Sequence, residues 1–376
     1  MTHKHAEIAG AGFAGLTAAI ALRARGWTVR VHEKASELRS FGAGIYIWEN
    51  GLRVLAAIGA YEDVVSGAHR PPAYETRRDG KMVSKETFDD SCRLMIMTRE
   101  HLHLSLAGRA EAVGVDIVTN SSVTGARPEG VLLTEDGREW PADLVVGADG
   151  VRSPVRDSLG LLDKREIYSD GITRLLVPRM RERLGPGDWD NVIDFWVTVP
   201  RTLRILYSPC NDRDLYLALL APEDNPAAAR IPVDKQLWME AFPQLQPAIA
   251  QIGSQGRRDP YETSILKAWS KGKVAVIGDA AHAMSPPLAQ GGGCAMMNGL
   301  SLAAFVDGVA QVDEALARWE AQERPLTDRT QLRSAHYAKT RQMATGNQWQ
   351  GEIMETAMHR PTGTQRTAIR SPMKRK

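Results

Sequence analysis

The chain has 376 residues, with 47 Lys and Arg against 45 Asp and Glu and a formal net charge of +2. That balance gives no reason to expect a nucleic-acid partner, and the length suffices for one large or two modest domains around a buried core. Cys92, Cys210 and Cys294 are odd in number and lack metal-ligand spacing, which argues against a disulfide framework or a metal site and for a reducing, cytoplasmic compartment. The first strand begins within a few residues of Met1, leaving no room for a signal peptide. No apolar run approaches the roughly 20 residues of a membrane span.

In chain order, Ala6-Glu7-Ile8-Ala9 reads as a strand and Leu16 to Arg25 as a helix, with Gly10-Ala11-Gly12-Phe13-Ala14-Gly15 between them. This is GxGxxG in its required context. The first glycine permits the turn, the second lets a pyrophosphate approach the backbone, and the third packs helix on strand. The helix N-terminus offers free N–H groups to the phosphates. A second strand, Thr28-Val29-Arg30-Val31, runs to His32-Glu33, which puts Glu33 where an acid binds ribose hydroxyls. The loop alone does not separate NAD from FAD.

Residues 80–98 hold short strands. Arg99 to Val113 reads as a helix, and Val115 to Val118 and Asp143 to Val146 as strands. The latter ends in Gly147-Ala148-Asp149-Gly150, after which Arg152-Ser153 opens a helix with Pro154 just inside it. Residues 170–220 are strand-rich and aromatic. Thr202 to Tyr207 and Asp214 to Leu220 flank the turn-like Ser208-Pro209-Cys210-Asn211-Asp212. A hairpin centred near Cys210 places Arg204 opposite Tyr216, and cross-strand partners share a face. Beside a cofactor pocket such a pair can hold a carboxylate and a phenolic oxygen. The alternative is an arginine stem packed on an exposed sheet, and a one-residue slip would separate the pair. Tyr46 and Tyr74, taken alone, read as core or half-buried aromatics.

The apolar run Val274-Ala275-Val276-Ile277 ends in Gly278-Asp279-Ala280-Ala281-His282. A buried strand opening into a helix through Gly-Asp puts a carboxylate where it can meet a bound polyol, and beside a dinucleotide loop the natural polyol is the ribityl chain of a flavin. His282 reads as packing and hydrogen-bonding at the helix start rather than as a base, and Met296 and Met297 as core. The order of textures fits an α/β fold in which a Rossmann-like nucleotide domain (1–70, 99–165 and 265–345) is interleaved with a β-sheet substrate domain (71–98 and 166–264), followed by a C-terminal helix and tail (346–376). No second GxGxxG is present for a separate NAD(P)H domain.

Together, the N-terminal GxGxxG, the middle Asp149-Gly150 and the late Gly278-Asp279 resemble the class A flavoprotein monooxygenases, with their para-hydroxybenzoate hydroxylase-type fold. The resemblance implies FAD bound by Gly10, Gly12, Phe13, Ala14, Glu33 and Lys34. It also implies flavin contacts from Arg39, Arg99, Asp279 and, in the loop Pro286 to Gly293, from Ala289, Gly291 and Gly292. NADH or NADPH would be a transient reductant and O2 a co-substrate, reacting through a C4a-hydroperoxyflavin. The chain departs from the family at Met297-Asn298-Gly299, where Glu-Asp-Ala is usual. Phe41 to Trp48, Pro71 to Thr76, Arg204 to Cys210 and Cys294-Ala295-Met296 are similar to the branch that oxygenates 3-hydroxypyridine carboxylates in vitamin B6 breakdown. That likeness implies substrate contacts from Tyr46, Tyr74, Arg174, Arg204, Tyr216, Tyr261 and Pro286, with Arg204 and Tyr216 acting at the reacting ring, and ring opening as the outcome. Plain hydroxylation of a hydroxynicotinate or a salicylate stays open as the alternative.

Overall fold

The computed structural model describes residues 4–38, 42–340 and 349–364. A six-stranded sheet carries the nucleotide edge. Its order is Ser270–Lys271, Val274–Val276, Leu144–Gly147, His5–Ala9, Thr28–His32 and Asp116–Val118, parallel except for the short first strand. The central strands are apolar runs because helices cover the sheet. Phe13–Arg23 packs there against Gly291–Phe305 and Arg99–Ala112. Of the departure at Met297-Asn298-Gly299, the structure accounts for the last position: a Cβ at Gly299 would lie 2.9 Å from the Ala14 carbonyl oxygen and 3.0 Å from the Ala18 nitrogen. The glycine is what lets the two helices come this close.

A second, seven-stranded sheet gathers Arg257–Leu266, Leu162–Pro178, Asp214–Pro222, Leu203–Pro209, Val192–Val197, Ala73–Arg78 and Lys81–Thr87 in that order. All its pairings are antiparallel except Val192–Val197 with Ala73–Arg78. Alternation along the strands sorts its residues. Ile193, Phe195, Ile205, Tyr207, Leu215, Leu217 and Leu219 join Trp238 and Phe242 in one apolar core. The opposite face, which carries Arg174, Asp194, Arg204, Ser208 and Tyr216, turns toward the nucleotide domain. A two-stranded antiparallel sheet, Gly44–Trp48 with Leu94–Thr98, lies between the two sheets. The long helix Val312–Thr340, with Pro325 inside it, packs across the Pro286–Leu288 turn and Gly291–Phe305.

Candidate active site

The nucleotide edge is made mostly of backbone. Gly10 has φ +96°, and a Cβ there would meet the Ala148 carbonyl oxygen at 2.5 Å, while one on Gly15 would meet the Gly10 carbonyl oxygen at 2.0 Å. Gly12 starts the helix Phe13–Arg23 and no side chain caps it, so first-turn N–H groups are left for an anion. The Glu33 carboxylate accepts from the backbone N–H of Ala11 at 3.1 Å and of Ala35 at 2.9 Å. That holds the carboxylate at the strand end, against the glycine turn. Gly278, at φ +62°, leads into Asp279, and a Cβ on it would lie 2.8 Å from the Ala14 methyl. Arg99 lies over the Phe13 ring at 5.0 Å, and burial together with the neighbouring Arg174 lowers its pKa. Asp149 is held by the Val155 N–H at 3.1 Å. Its other oxygen is buried without a partner, and burial raises its pKa.

A cavity of about 350 Å³ opens from this edge to the seven-stranded sheet. Gly12, Phe13, Ala14, Arg99, Asp279, Pro286, Ala289, Gly291 and Gly292 border it on one side, and Tyr46, Tyr74, Arg174, Arg204, Tyr216 and Tyr261 on the other. Gly10 lies beneath the turn and Glu33 beyond the cavity wall. Lys34 is exposed. Arg39 lies outside the described residues. His282 packs against Trp269, ring centroids 5.4 Å apart, but neither ring nitrogen has a hydrogen bond of ordinary geometry.

The expected pairing of Arg204 with Tyr216 is corrected. Arg204 stands opposite Leu220, and Tyr216 opposite Ser208. Pairing runs past Pro209, and Cys210 N–H bonds the Asp214 carbonyl at 2.9 Å. Asn211 makes the turn, its side-chain oxygen accepting from the N–H groups of Arg213 at 2.8 Å and Asp214 at 2.7 Å. The hairpin therefore centres near Asp212. A displacement of two residues keeps the faces, so both side chains still reach the cavity. They do so four residues apart along the strands, roughly 13 Å, at different ends.

The sequence reading also missed the partners of these residues. Arg204 donates from Nε to one oxygen of Asp194 at 2.6 Å and from Nη2 to the other at 2.9 Å, and lies over Trp196 at 4.8 Å. Arg174 is ion-paired with Asp259, which also accepts from Arg257 Nε at 2.7 Å. The Tyr46 hydroxyl bonds Ser208. An Asp on the same sheet face as an Arg is a usable signal, but only once the strand order is known. Burial raises the pKa of Tyr46, Tyr74, Tyr216 and Tyr261, with Asp194 adding to the shift at Tyr74. At neutral pH these phenols are neutral hydrogen-bonding groups, not bases. Burial opposes the Arg204 charge, but Asp194 outweighs it and the guanidinium stays protonated.

The FAD binding domain family matches residues 4–331. This chain is a class A flavoprotein monooxygenase. The crystallised tetrameric form of 2-methyl-3-hydroxypyridine-5-carboxylic acid oxygenase is 52% identical, with a TM-score of 0.93 over 96% of this chain and 98% of that one. The 2-heptyl-3-hydroxy-4(1H)-quinolone synthase of Mycobacteroides abscessus is 39% identical over 339 residues, 89% of this chain and 90% of the relative. The 3-amino-4-hydroxybenzoate 2-monooxygenase of Streptomyces cremeus is 30% identical over 88% of this chain and 86% of its own length. The glycine cradle, the uncapped helix start, Asp279 and the orphaned Asp149 oxygen fit FAD. Among the described residues no group of His, Cys, Asp or Glu could hold a metal ion, and no helix is long and apolar enough to cross a membrane.

Proposed function

We propose that this monooxygenase uses NADH or NADPH and O2 to oxygenate a 3-hydroxypyridine carboxylate, 2-methyl-3-hydroxypyridine-5-carboxylate or 5-hydroxynicotinate, and that the ring opens. The observation that carries this reading is the cavity wall of three buried tyrosines, the half-buried Tyr74 and two arginines, in a chain 52% identical to an oxygenase named for such a pyridine. Gly10, Gly12, Phe13, Ala14 and Glu33 would hold the dinucleotide part of FAD, and Arg99, Asp279, Ala289, Gly291 and Gly292 would flank its ring system. Bound there, FAD supplies reduction by the nicotinamide and activation of O2.

The chain's own residues then have three tasks. Arg174 and Tyr216 at one end, and Arg204, Tyr74 and Tyr261 at the other, orient the ring and set its distance. Ile172, Leu206, Ala218, Leu220 and Leu288 line the cavity with apolar surface and exclude water. The neutral tyrosines hydrogen-bond the ring oxygen, and no side-chain base is required if the 3-hydroxypyridine enters ionised. For 2-methyl-3-hydroxypyridine-5-carboxylate, ring opening follows from the substrate itself. Oxygen entering at a methyl-bearing carbon leaves no proton to lose, the adjacent C–O becomes a ketone, water adds, and the carbon–carbon bond breaks. 5-Hydroxynicotinate carries a hydrogen at the attacked carbon, so there ring opening requires that water add before that proton leaves.

A second reading is hydroxylation without ring opening, of a 4-quinolone, a hydroxynicotinate or a salicylate. The relatives named as quinolone synthases favour the first of these. The test incubates the FAD-loaded protein with NADH, O2 and each candidate. A product heavier by one oxygen plus the elements of water, with aromatic absorbance lost, supports ring opening. A product heavier by one oxygen, with absorbance kept, supports the second reading.

A further inference from the structure

The two arginines that border the cavity sit in different electrostatic surroundings. At one end, Arg174 and Arg257 share the single carboxylate of Asp259, and Arg99 is close enough for Arg174 to lower its pKa. Asp279 also acts on Arg99, in the opposite sense, so three guanidiniums stand against two carboxylates and that end keeps a net positive charge. At the other end, Arg204 is matched one to one. Both Asp194 oxygens are taken up by Nε and Nη2 of the same guanidinium, the Asp194 side chain is 4% exposed, and Tyr74 donates its hydroxyl hydrogen to the same carboxylate at 3.4 Å. Asp194 does not itself line the cavity, whereas Arg204 and Tyr74 do.

We propose that Asp194 is a positioning residue that also sets specificity. It fixes Arg204 and Tyr74 as donors at a charge-neutral end of the cavity, so that this end receives a ring oxygen and a substrate carboxylate is left to the Arg174 end. The inference rests on the substrate class proposed above. Two parallel N–H···O bonds fix a guanidinium plane in a way one bond does not. A cation already paired with a buried carboxylate gives a second carboxylate little net attraction. Nη1 and the second Nη2 hydrogen remain for the substrate, in an orientation that Asp194 sets.

The test titrates FAD-loaded wild type, Asp194→Asn and Asp194→Glu calorimetrically with 5-hydroxynicotinate and with 3-hydroxypyridine, which lacks the carboxylate. In parallel it measures the share of NADH electrons lost as hydrogen peroxide. Asp194→Asn removes the neutralising charge at nearly constant shape. The preference for the carboxylated ligand should rise about tenfold, because Arg204 becomes a free cation, and the peroxide share should rise because the ring is held less firmly. Asp194→Glu keeps the charge and displaces the fork, so the preference should stay near wild type while the peroxide share rises. A merely structural role moves neither readout. A preference and a peroxide share unchanged from wild type in folded, FAD-loaded Asp194→Asn would overturn the inference. If Asp194→Asn does not retain FAD, an unchanged peroxide share in Asp194→Glu overturns it. A wild-type protein that binds neither pyridine removes the reading of the substrate class, and this inference with it.

Discussion

The two sides of the cavity are built by different means. The nucleotide side is backbone: glycines at fixed spacing, one helix start, and carboxylates at strand ends. The substrate side is side chains on adjacent strands, whose charges are set by partners distant in sequence, such as Asp194 with Arg204 and Asp259 with Arg174. A backbone site fails when a Cβ is added. A side-chain site fails when one partner is left alone.

The largest effect is expected at Gly15. An alanine there would put its Cβ 2.0 Å from the Gly10 carbonyl oxygen, a backbone atom that cannot move without opening the turn. Gly15→Ala should cost on the order of 4 kcal/mol or more and yield protein without bound FAD, measured by denaturant unfolding and by the FAD-to-protein ratio. Normal stability with full FAD content would mean the close approach is not required.

Arg204→Ala comes next. It leaves the Asp194 carboxylate buried and unpaired, and breaking such a pair from one side costs about 3–5 kcal/mol. Aromatic-stimulated NADH oxidation should be lost as well. Arg204→Lys should also oxidise NADH poorly, because an ammonium cannot reproduce the fork. The double variant Arg204→Met with Asp194→Leu should recover most of the stability and none of the stimulated activity. If the double variant is no more stable than Arg204→Ala, an unpaired carboxylate is not the cause of the loss.

Smaller losses are expected where a side chain serves the nucleotide side. Glu33→Ala and Asp279→Ala should each weaken FAD binding by about 1.5–3 kcal/mol, the worth of a hydrogen bond to a charged group. In fluorescence titration of apoprotein that is roughly a ten- to hundredfold rise in Kd. Glu33 carries a second function that Asp279 lacks, since it also accepts from Ala11 and Ala35. Glu33→Ala should therefore lower the thermal midpoint of the apoprotein, and Asp279→Ala should not.

What could be read from the sequence divides along the same line. The strand–turn–helix around Gly10–Gly15, the strand running into Gly278-Asp279 and the Ser153-Pro154 helix start are local, and spacing alone specifies them. The alternation that sends Leu217 to the core and Tyr216 to the cavity was also legible. The hairpin register was not, because Asn211 draws the turn two residues beyond Cys210 through side-chain bonds to Arg213 and Asp214. Nor was Asp194, which meets Arg204 only because Val192–Val197 lies between Leu203–Pro209 and Ala73–Arg78. Nor was the reason for the glycine at 299, which is helix contact with Ala14 and Ala18.

The smallest effect is expected at His282, which lies just behind Asp279. Burial lowers its pKa below the ordinary 6.5, with Asp279 and Asn298 acting in the opposite sense. Well above pH 6.5, as at pH 8, the imidazole is neutral in both folded and unfolded chains and contributes no pH dependence. As the pH falls below 6.5 the unfolded chain takes up a proton that the folded one refuses, so stability is lost progressively down to the folded pKa. One such group gives a slope of at most about 1.4 kcal/mol per pH unit. His69 and His359 are lowered by burial as well, so some slope should survive in any single variant. His282→Gln should be less stable than wild type at pH 8, from lost packing on Trp269, and should lose less of its remaining stability between pH 6.5 and 5. Thermal midpoints of the two proteins falling in parallel over that window would mean that His282 accepts its proton in the folded state.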